Sequence, residues 1–117
     1  GYPCAEDEEK IIARYGKKID GVKAADDIIR RSVAISNVAR SMPDELERLP
    51  SVRATLSIYE QAQSLARLKG AKSAGKDDVE TAARRVLEGR LAVSSESKYF
   101  EKQDLLIAKI IDQAKKQ

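Results

Sequence analysis

The sequence of 117 residues contains no histidine, no tryptophan and a single cysteine, Cys4. The lack of histidine excludes most acid–base and metal-binding chemistry near neutral pH, because imidazole is the side chain that ordinarily titrates there. A lone cysteine excludes an internal disulfide, and Cys4 has no histidine that could activate it as a nucleophile. These absences predict a cytoplasmic protein, kept in a reducing environment and without a metal site.

Aromatic residues and long apolar runs are also scarce. Aromatics make up 4% of the chain, against 42% hydrophobic and 35% charged residues. The core must therefore consist of Leu, Ile, Val and Ala, which favours helices packed on helices. No apolar run approaches the ~20 residues of a transmembrane helix, and no signal peptide opens the chain, so no membrane partner is expected. A net charge of +3 with both signs interspersed is weak for a nucleic-acid-binding protein.

Apolar periodicity predicts an all-α fold, a single small bundle of four to five helices. Acidic first turns, N-cap residues and stops at glycine or proline mark the helix ends. The predicted helices run from Pro3 to Gly16, from residues 23–26 to Pro43, from Ser51 to Gly70, from Lys76 to Glu88, and from Lys98 or Glu101 to Ala114. Residues 44–50 are predicted to form a connector or a short helical turn and residues 91–97 a linker, and no strand is predicted.

Two kinds of side-chain placement follow from the helical spacing. Tyr15 is predicted to join Ile11 and Ile12 on the apolar side of the first helix. Oppositely charged residues four positions apart are predicted to form ion pairs on the helix surfaces. These pairs are Asp26 with Arg30, Asp27 with Arg31, and Glu80 with Arg84.

The segment from Gly70 to Asp77 matches the first seven positions of a P-loop, G-x-x-x-x-G-K. Its eighth position is Asp77, where a P-loop needs Ser or Thr to bind Mg²⁺, and it follows a predicted helix instead of a strand. We therefore expect a solvated link between two helices. Asp77 and Asp78 are then expected to be first-turn carboxylates that stabilise the following helix, and not a metal-binding or acid–base pair.

Arg53 lies in the first turn of the third predicted helix, just after the N-cap residue Ser51. The positive end of the helix macrodipole disfavours a cation there, while the free N–H groups of the same turn attract anions. This position suits a bound phosphate. The alternative is an ordinary surface arginine, because a flexible cation near a helix start loses only about a few tenths of a kcal/mol.

Several motifs together resemble the C-terminal lid of MoxR-type AAA+ ATPases and of magnesium-chelatase ATPase subunits. They are Pro50-Ser51-Val52-Arg53-Ala54-Thr55, the long helix ending at Gly70, and Asp77-Asp78-Val79 at the next helix start. Tyr2-Pro3 followed by Glu8-Glu9 and Ile11-Ile12 is similar to the helix at the exit of that family's nucleotide-binding domain. Residues 17–50 fit the family only loosely, and Gly75-Lys76 replaces the family's usual Thr-Pro.

The resemblance implies that Arg53 is the sensor-2 residue, which reaches the γ-phosphate of bound ATP, with Ser51 beside it at the nucleotide. It further implies an exit helix over residues 1–16, lid helices over 23–91 and a C-terminal helix over 98–117. The Walker A, Walker B and sensor-1 elements, and the Mg²⁺ they hold, would lie upstream of Gly1. The resemblance also implies an ATPase parent, a homo-oligomeric ring, and remodelling of a protein partner or assistance in metal insertion, whereas the fragment alone would not hydrolyse ATP.

Two other functions stay open at this point. Residues 75–83 resemble the third helix of a histone fold, which would make the chain a helical DNA-binding module with salt-dependent affinity. The predicted central helix, however, lacks the length and the basic flanks of a histone. A helical protein–protein adaptor is the third possibility, and it would predict no role for Arg53 in ATP turnover.

Overall fold

Five helices make up most of the chain in the computed structural model, which describes residues 1–117. They are α1 (Ala5–Tyr15), α2 (Asp26–Arg40), α3 (Val52–Leu68), α4 (Lys76–Arg90) and α5 (Gln103–Ala114). Each lies within a few residues of its predicted bounds, and the predicted small all-α bundle is confirmed. None of the five has the length and the apolar character needed to cross a membrane.

The helices enclose one hydrophobic core, made almost entirely of aliphatic side chains. Helix α2 is central, since it packs against each of the other four helices, and α3 packs most extensively against α4. Small residues are part of this core, and Ala62 of α3 and Ala83 of α4 are both fully buried. Helix α5 packs on α2 and α4 and buries Leu106, Ile107, Ile110, Ile111 and Ala114.

Two short strands that the sequence did not predict join the connectors on either side of α3 and α4. Strand β1 (Leu46–Arg48) pairs antiparallel with β2 (Ala92–Val93), so that Leu46 lies opposite Val93 and Arg48 opposite Ala92. The prediction of a simple connector and linker was therefore incomplete. Strands of two or three residues are too short to show an alternating pattern, and they form here because the packing of α3 on α4 brings both connectors side by side.

Tyr15 does not lie on the apolar side of α1, as predicted, because 64% of the residue is exposed. The buried stripe of α1 instead consists of Ile12 and, one turn earlier, Glu8. The Tyr15 ring lies in solvent, where the guanidinium of Arg14 packs 5.3 Å from its centre. The apolar face of α1 is therefore shifted by part of a turn from the predicted one.

The surface ion pairs follow the prediction only in part. Asp27 binds Arg31 at 2.7 Å, as predicted. Arg30 was predicted to pair with Asp26, but it also binds Asp27, at 2.7 Å. Hydrogen bonds from Arg31 and Arg30 lower the pKa of Asp27 below its usual value.

Glu80 pairs with Lys115 of α5 at 2.8 Å, and not with Arg84 of its own helix as predicted. The packing of α5 against α4 brings this lysine within reach of the carboxylate. That proximity arises from tertiary structure, so the spacing along one helix could not indicate it.

Gly16 is required by a close approach between α1 and α3. A Cβ atom at Gly16 would lie 2.7 Å from the carbonyl oxygen of Ile12 and 2.7 Å from the ring of Tyr59, which is 1% exposed. Such distances force backbone or ring to move. Gly89, near the end of α4, has no atom within 4 Å of its ideal Cβ position.

We predict opposite effects for two alanine substitutions. Gly16→Ala should lower the free energy of unfolding by about 1–3 kcal/mol, because the added methyl overpacks the contact with Tyr59. Gly89→Ala should raise it by up to about 1 kcal/mol, because alanine reduces the entropy cost of helix formation without a clash. Urea denaturation followed by circular dichroism measures both. Equal stability of the Gly16→Ala variant and the unmodified chain would contradict the close approach.

Candidate functional site

The start of α3 is defined by Pro50 and Ser51. Ser51 has extended backbone geometry, and its side-chain oxygen accepts a hydrogen bond from the N–H of Ala54 at 3.4 Å. This confirms its predicted N-cap role. Pro50 is buried, and its carbonyl oxygen accepts a hydrogen bond of 2.8 Å from Nε of Arg40. The first turn of α3 is therefore held at a fixed place on the domain.

Arg53 is exposed in this first turn and forms no ion pair or side-chain hydrogen bond within the chain. The backbone N–H groups of Val52 and Arg53 also have no acceptor in the chain. Helix α3 has no acidic residue in its first turn, whereas each of the other four helices has at least one. The positive end of the α3 dipole is thus unneutralised, and it carries an additional cation.

Two further arginines lie close to the start of α3. Arg48 and Arg90 line an open surface cleft together with Ser51 and neighbouring residues, and Arg53 lies outside this lining. Arg90 also donates a hydrogen bond of 3.2 Å to the hydroxyl of Ser57, which follows Arg53 by one turn on the same helix face. The sequence reasoning missed both arginines, because β1 and the end of α4 bring them to α3 only in the folded chain.

This arrangement is suited to hold an anion. Exposed guanidinium groups present planar, forked donors that match phosphate oxygens, and they stay charged at any physiological pH. Free N–H groups at a helix start add donors that point in the same direction. Arg53 and Ser51, the predicted site residues, thus share one end of α3, with Ser51 capping the helix and Arg53 free to reach outward.

Behind the first turn of α3 lies a buried ion pair between α1 and α2. Both oxygens of Glu8 bind the guanidinium of Arg40, at 2.5 Å and 3.0 Å. The Glu8 side chain is 0% exposed and that of Arg40 is 7% exposed. The ring of Tyr2 covers the Arg40 guanidinium at 4.2 Å. The charges are therefore paired in a bidentate geometry and shielded from water.

Thr55 extends this ion pair to α3. Its hydroxyl donates to Glu8 at 2.7 Å and lies 2.7 Å from the hydroxyl of Ser36 on α2. A carboxylate can only accept, so the single Thr55 proton goes to Glu8 and Ser36 must donate to Thr55. No buried side-chain nitrogen or oxygen is left without a partner. We call Glu8, Arg40, Thr55 and Ser36 the buried polar network.

Glu8 was predicted as one of the acidic residues at the start of α1 and as part of the motif that resembles the family's exit helix, with no buried partner. Its distance of four residues from Ile12 was the local signal that could have revealed its burial, because residues i and i+4 share a helix face. A carboxylate on a buried stripe needs a cation, and Arg40 at the end of α2 supplies it. Nothing in the local sequence around Arg40 identifies that partner.

The P-loop-like segment is a helix-to-helix link, as predicted. Gly70, with φ of 75°, ends α3. The link pairs with the loop between α1 and α2 through a hydrogen bond of 2.8 Å from the N–H of Lys23 to the carbonyl of Lys72. Asp78 caps α4 by accepting from the N–H of Gly75 at 2.8 Å, and it binds Lys69 at 2.6 Å. The predicted helix-stabilising role of Asp78 is therefore confirmed.

Other candidate chemistry finds no geometric support. Cys4 is a free, exposed thiol just before α1. No group of three or more Cys, Asp or Glu side chains is arranged to hold a metal ion. The start of α3 is thus the one helix start where free N–H groups occur with an exposed, unpaired arginine and no first-turn acid.

Comparison with known families matches a segment that contains this region. A family model described as the AAA lid domain matches residues 48–110, which is more than half of the chain. The matched segment begins at Arg48 in β1 and includes α3, α4 and most of α5, with Ser51, Arg53 and Arg90 among its residues. No curated protein and no solved structure matches the chain.

We predict that Glu8→Gln lowers the free energy of unfolding by about 3–5 kcal/mol, because it leaves the buried charge of Arg40 without its partner. Glu9→Gln makes the same chemical change at the next residue, which is only half-buried and forms no hydrogen bond. It should change stability by less than about 0.5 kcal/mol. Urea denaturation at neutral pH tests both variants. Similar losses for the two would show that the Glu8 pair has no special role.

Proposed function

The chain belongs to the AAA lid domain family, and on this premise we propose that it is the lid of a AAA+ ATPase of the MoxR or magnesium-chelatase type. In this proposal residues 1–16 connect the lid to a nucleotide-binding domain of the same protein. Residues 23–91 form the lid helices that cover bound ATP, and residues 98–117 form the C-terminal helix. Arg53 is the sensor-2 arginine, and Ser51 holds the helix start that presents it.

The observation that carries the proposal is the free guanidinium of Arg53 at the acid-free start of α3, inside the segment that matches the lid family. A forked cation there can bind the γ-phosphate of ATP and neutralise the charge that develops during phosphoryl transfer. The contact exists only while the γ-phosphate is present, so the position of the lid would depend on the state of the nucleotide.

The remaining parts of the reaction belong to the nucleotide-binding domain in this proposal. That domain would bind ATP and Mg²⁺, and Mg²⁺ would neutralise phosphate charge when bound there. The lid would supply Arg53 from the opposite side. Neighbouring subunits would pack into a homo-oligomeric ring in the cytoplasm, and hydrolysis would drive remodelling of a protein partner or assist metal insertion.

We predict that Arg53→Ala in the full-length protein lowers kcat for ATP hydrolysis by about a hundredfold, the usual cost of removing one donor to transition-state charge. Arg53→Lys should recover only part of the rate, because an ammonium keeps the charge but loses the fork. Steady-state phosphate release measures all variants.

Arg67→Ala is the matched control for this experiment. Arg67 is another exposed arginine of α3, located in the last turn and far from the proposed phosphate contact. Its removal should leave kcat within about twofold of the unmodified enzyme. The sensor-2 proposal fails if Arg53→Ala and Arg67→Ala have equal turnover.

A further inference from the structure

The buried polar network holds the chain on both sides of Arg53. Arg40 binds the carbonyl of Pro50, three residues before Arg53, and Glu8 binds the hydroxyl of Thr55, two residues after it. Both contacts lead back to one carboxylate, because Glu8 also binds Arg40. The first turn of α3 is thus clamped to α1 from its buried side, while Arg53 extends from its exposed side.

We propose that Glu8, Arg40 and Thr55 are positioning residues for Arg53, which fix its direction relative to α1. This inference rests on the sensor-2 role proposed above. The three residues touch neither the nucleotide nor Arg53 itself. They act through the backbone of α3 by setting the place and the orientation from which the arginine side chain extends.

The donor and acceptor pattern leaves the network little freedom. Arg40 donates from Nε to Pro50 and from both Nη atoms to Glu8, and Nη1 also donates to Asn37 at 3.2 Å. Its planar group therefore fixes Pro50 and Glu8 in one plane. The hydroxyl group of Thr55 donates its only hydrogen bond to Glu8. Any tilt of α3 against α1 would break at least one of these contacts, and the buried groups would lose hydrogen bonds that water cannot replace.

In the proposed function, α1 is connected to the nucleotide-binding domain, so the fixed orientation of α3 relative to α1 matters for catalysis. A rotation of α1 would carry the first turn of α3 with it, so the base of Arg53 would keep its place relative to the domain that holds ATP. Misplacement of a catalytic group by ~1 Å can cost about a hundredfold in rate. A loosened network should therefore lower kcat, with little effect on KM for ATP, since most nucleotide contacts lie in the other domain.

If the buried polar network had only a structural role, its loss would also lower activity, through partial unfolding. A double-mutant cycle in the full-length protein distinguishes this effect from the positioning of Arg53. Thr55→Val keeps the shape of the side chain but removes the donor to Glu8, and Thr55→Ser restores a hydroxyl. Each variant is made with Arg53 present and in the Arg53→Ala background. Both kcat and KM for ATP are measured, together with the urea midpoint of each variant.

With Arg53 present, we expect Thr55→Val to lower kcat about tenfold and to leave KM within about twofold, and Thr55→Ser to recover most of the loss. In the Arg53→Ala background, Thr55→Val should have no further effect on kcat, because there is no longer an arginine to position.

Asp78→Asn is the matched control. Asp78 is the other buried carboxylate of the chain. It accepts from the backbone N–H of Gly75, so it caps α4, and it does not contact the first turn of α3. Its substitution should lower the urea midpoint while changing kcat less than about twofold in either background.

The outcomes separate the two proposals. Equal losses of kcat from Thr55→Val in both backgrounds, or no recovery with Thr55→Ser, would overturn the positioning role. A lower kcat for Arg53→Ala together with unchanged kcat for Thr55→Val would overturn the positioning role and leave the sensor-2 role intact. Unchanged kcat for Arg53→Ala would overturn the sensor-2 role, and the positioning role with it.

Discussion

The ion pair between Glu8 and Arg40 is the interaction on which the arrangement of α1, α2 and α3 depends. Hydrophobic burial provides most of the stabilisation of this bundle, but it is non-directional, and an aliphatic side chain accepts other apolar partners of similar volume at modest cost. A bidentate ion pair is directional, and here both charged side chains are buried. Displacing one partner would leave the other charge buried without its hydrogen bonds. Hydrophobic burial therefore drives the packing of α1, α2 and α3, and the Glu8–Arg40 pair specifies the register of that packing.

The helices could be predicted because each carries an apolar stripe together with local end signals such as Ser51 and Gly70. These signals act within a few residues and need no knowledge of the fold. Contacts between elements could not be predicted in the same way. Glu80 prefers Lys115 over its helical neighbour, and Leu46 meets Val93, because packing brings together residues that are far apart in the sequence.

In the candidate site, too, local features could be predicted from the sequence and contacts between elements could not. Arg53 could be singled out because a cation in the first turn of a helix conflicts with the local dipole, and that conflict is visible in the sequence. Arg48, Arg90 and the partners of Glu8 could not, since four separate elements contribute them. The match to the AAA lid domain favours the lid over the histone-like module and the adaptor, between which composition and periodicity alone did not decide.

The segment that the family model matches begins at Arg48, so α1 and α2 lie outside it. Arg53 belongs to the shared segment, whereas Glu8 and Arg40, which hold its helix, belong to the part before. In this chain, the part that matches the family model carries Arg53, and the part before it supplies the two charged residues that hold the start of α3. In the proposed positioning role of Glu8 and Arg40, a change in α1 or α2 would redirect Arg53 without altering any residue of the matched segment.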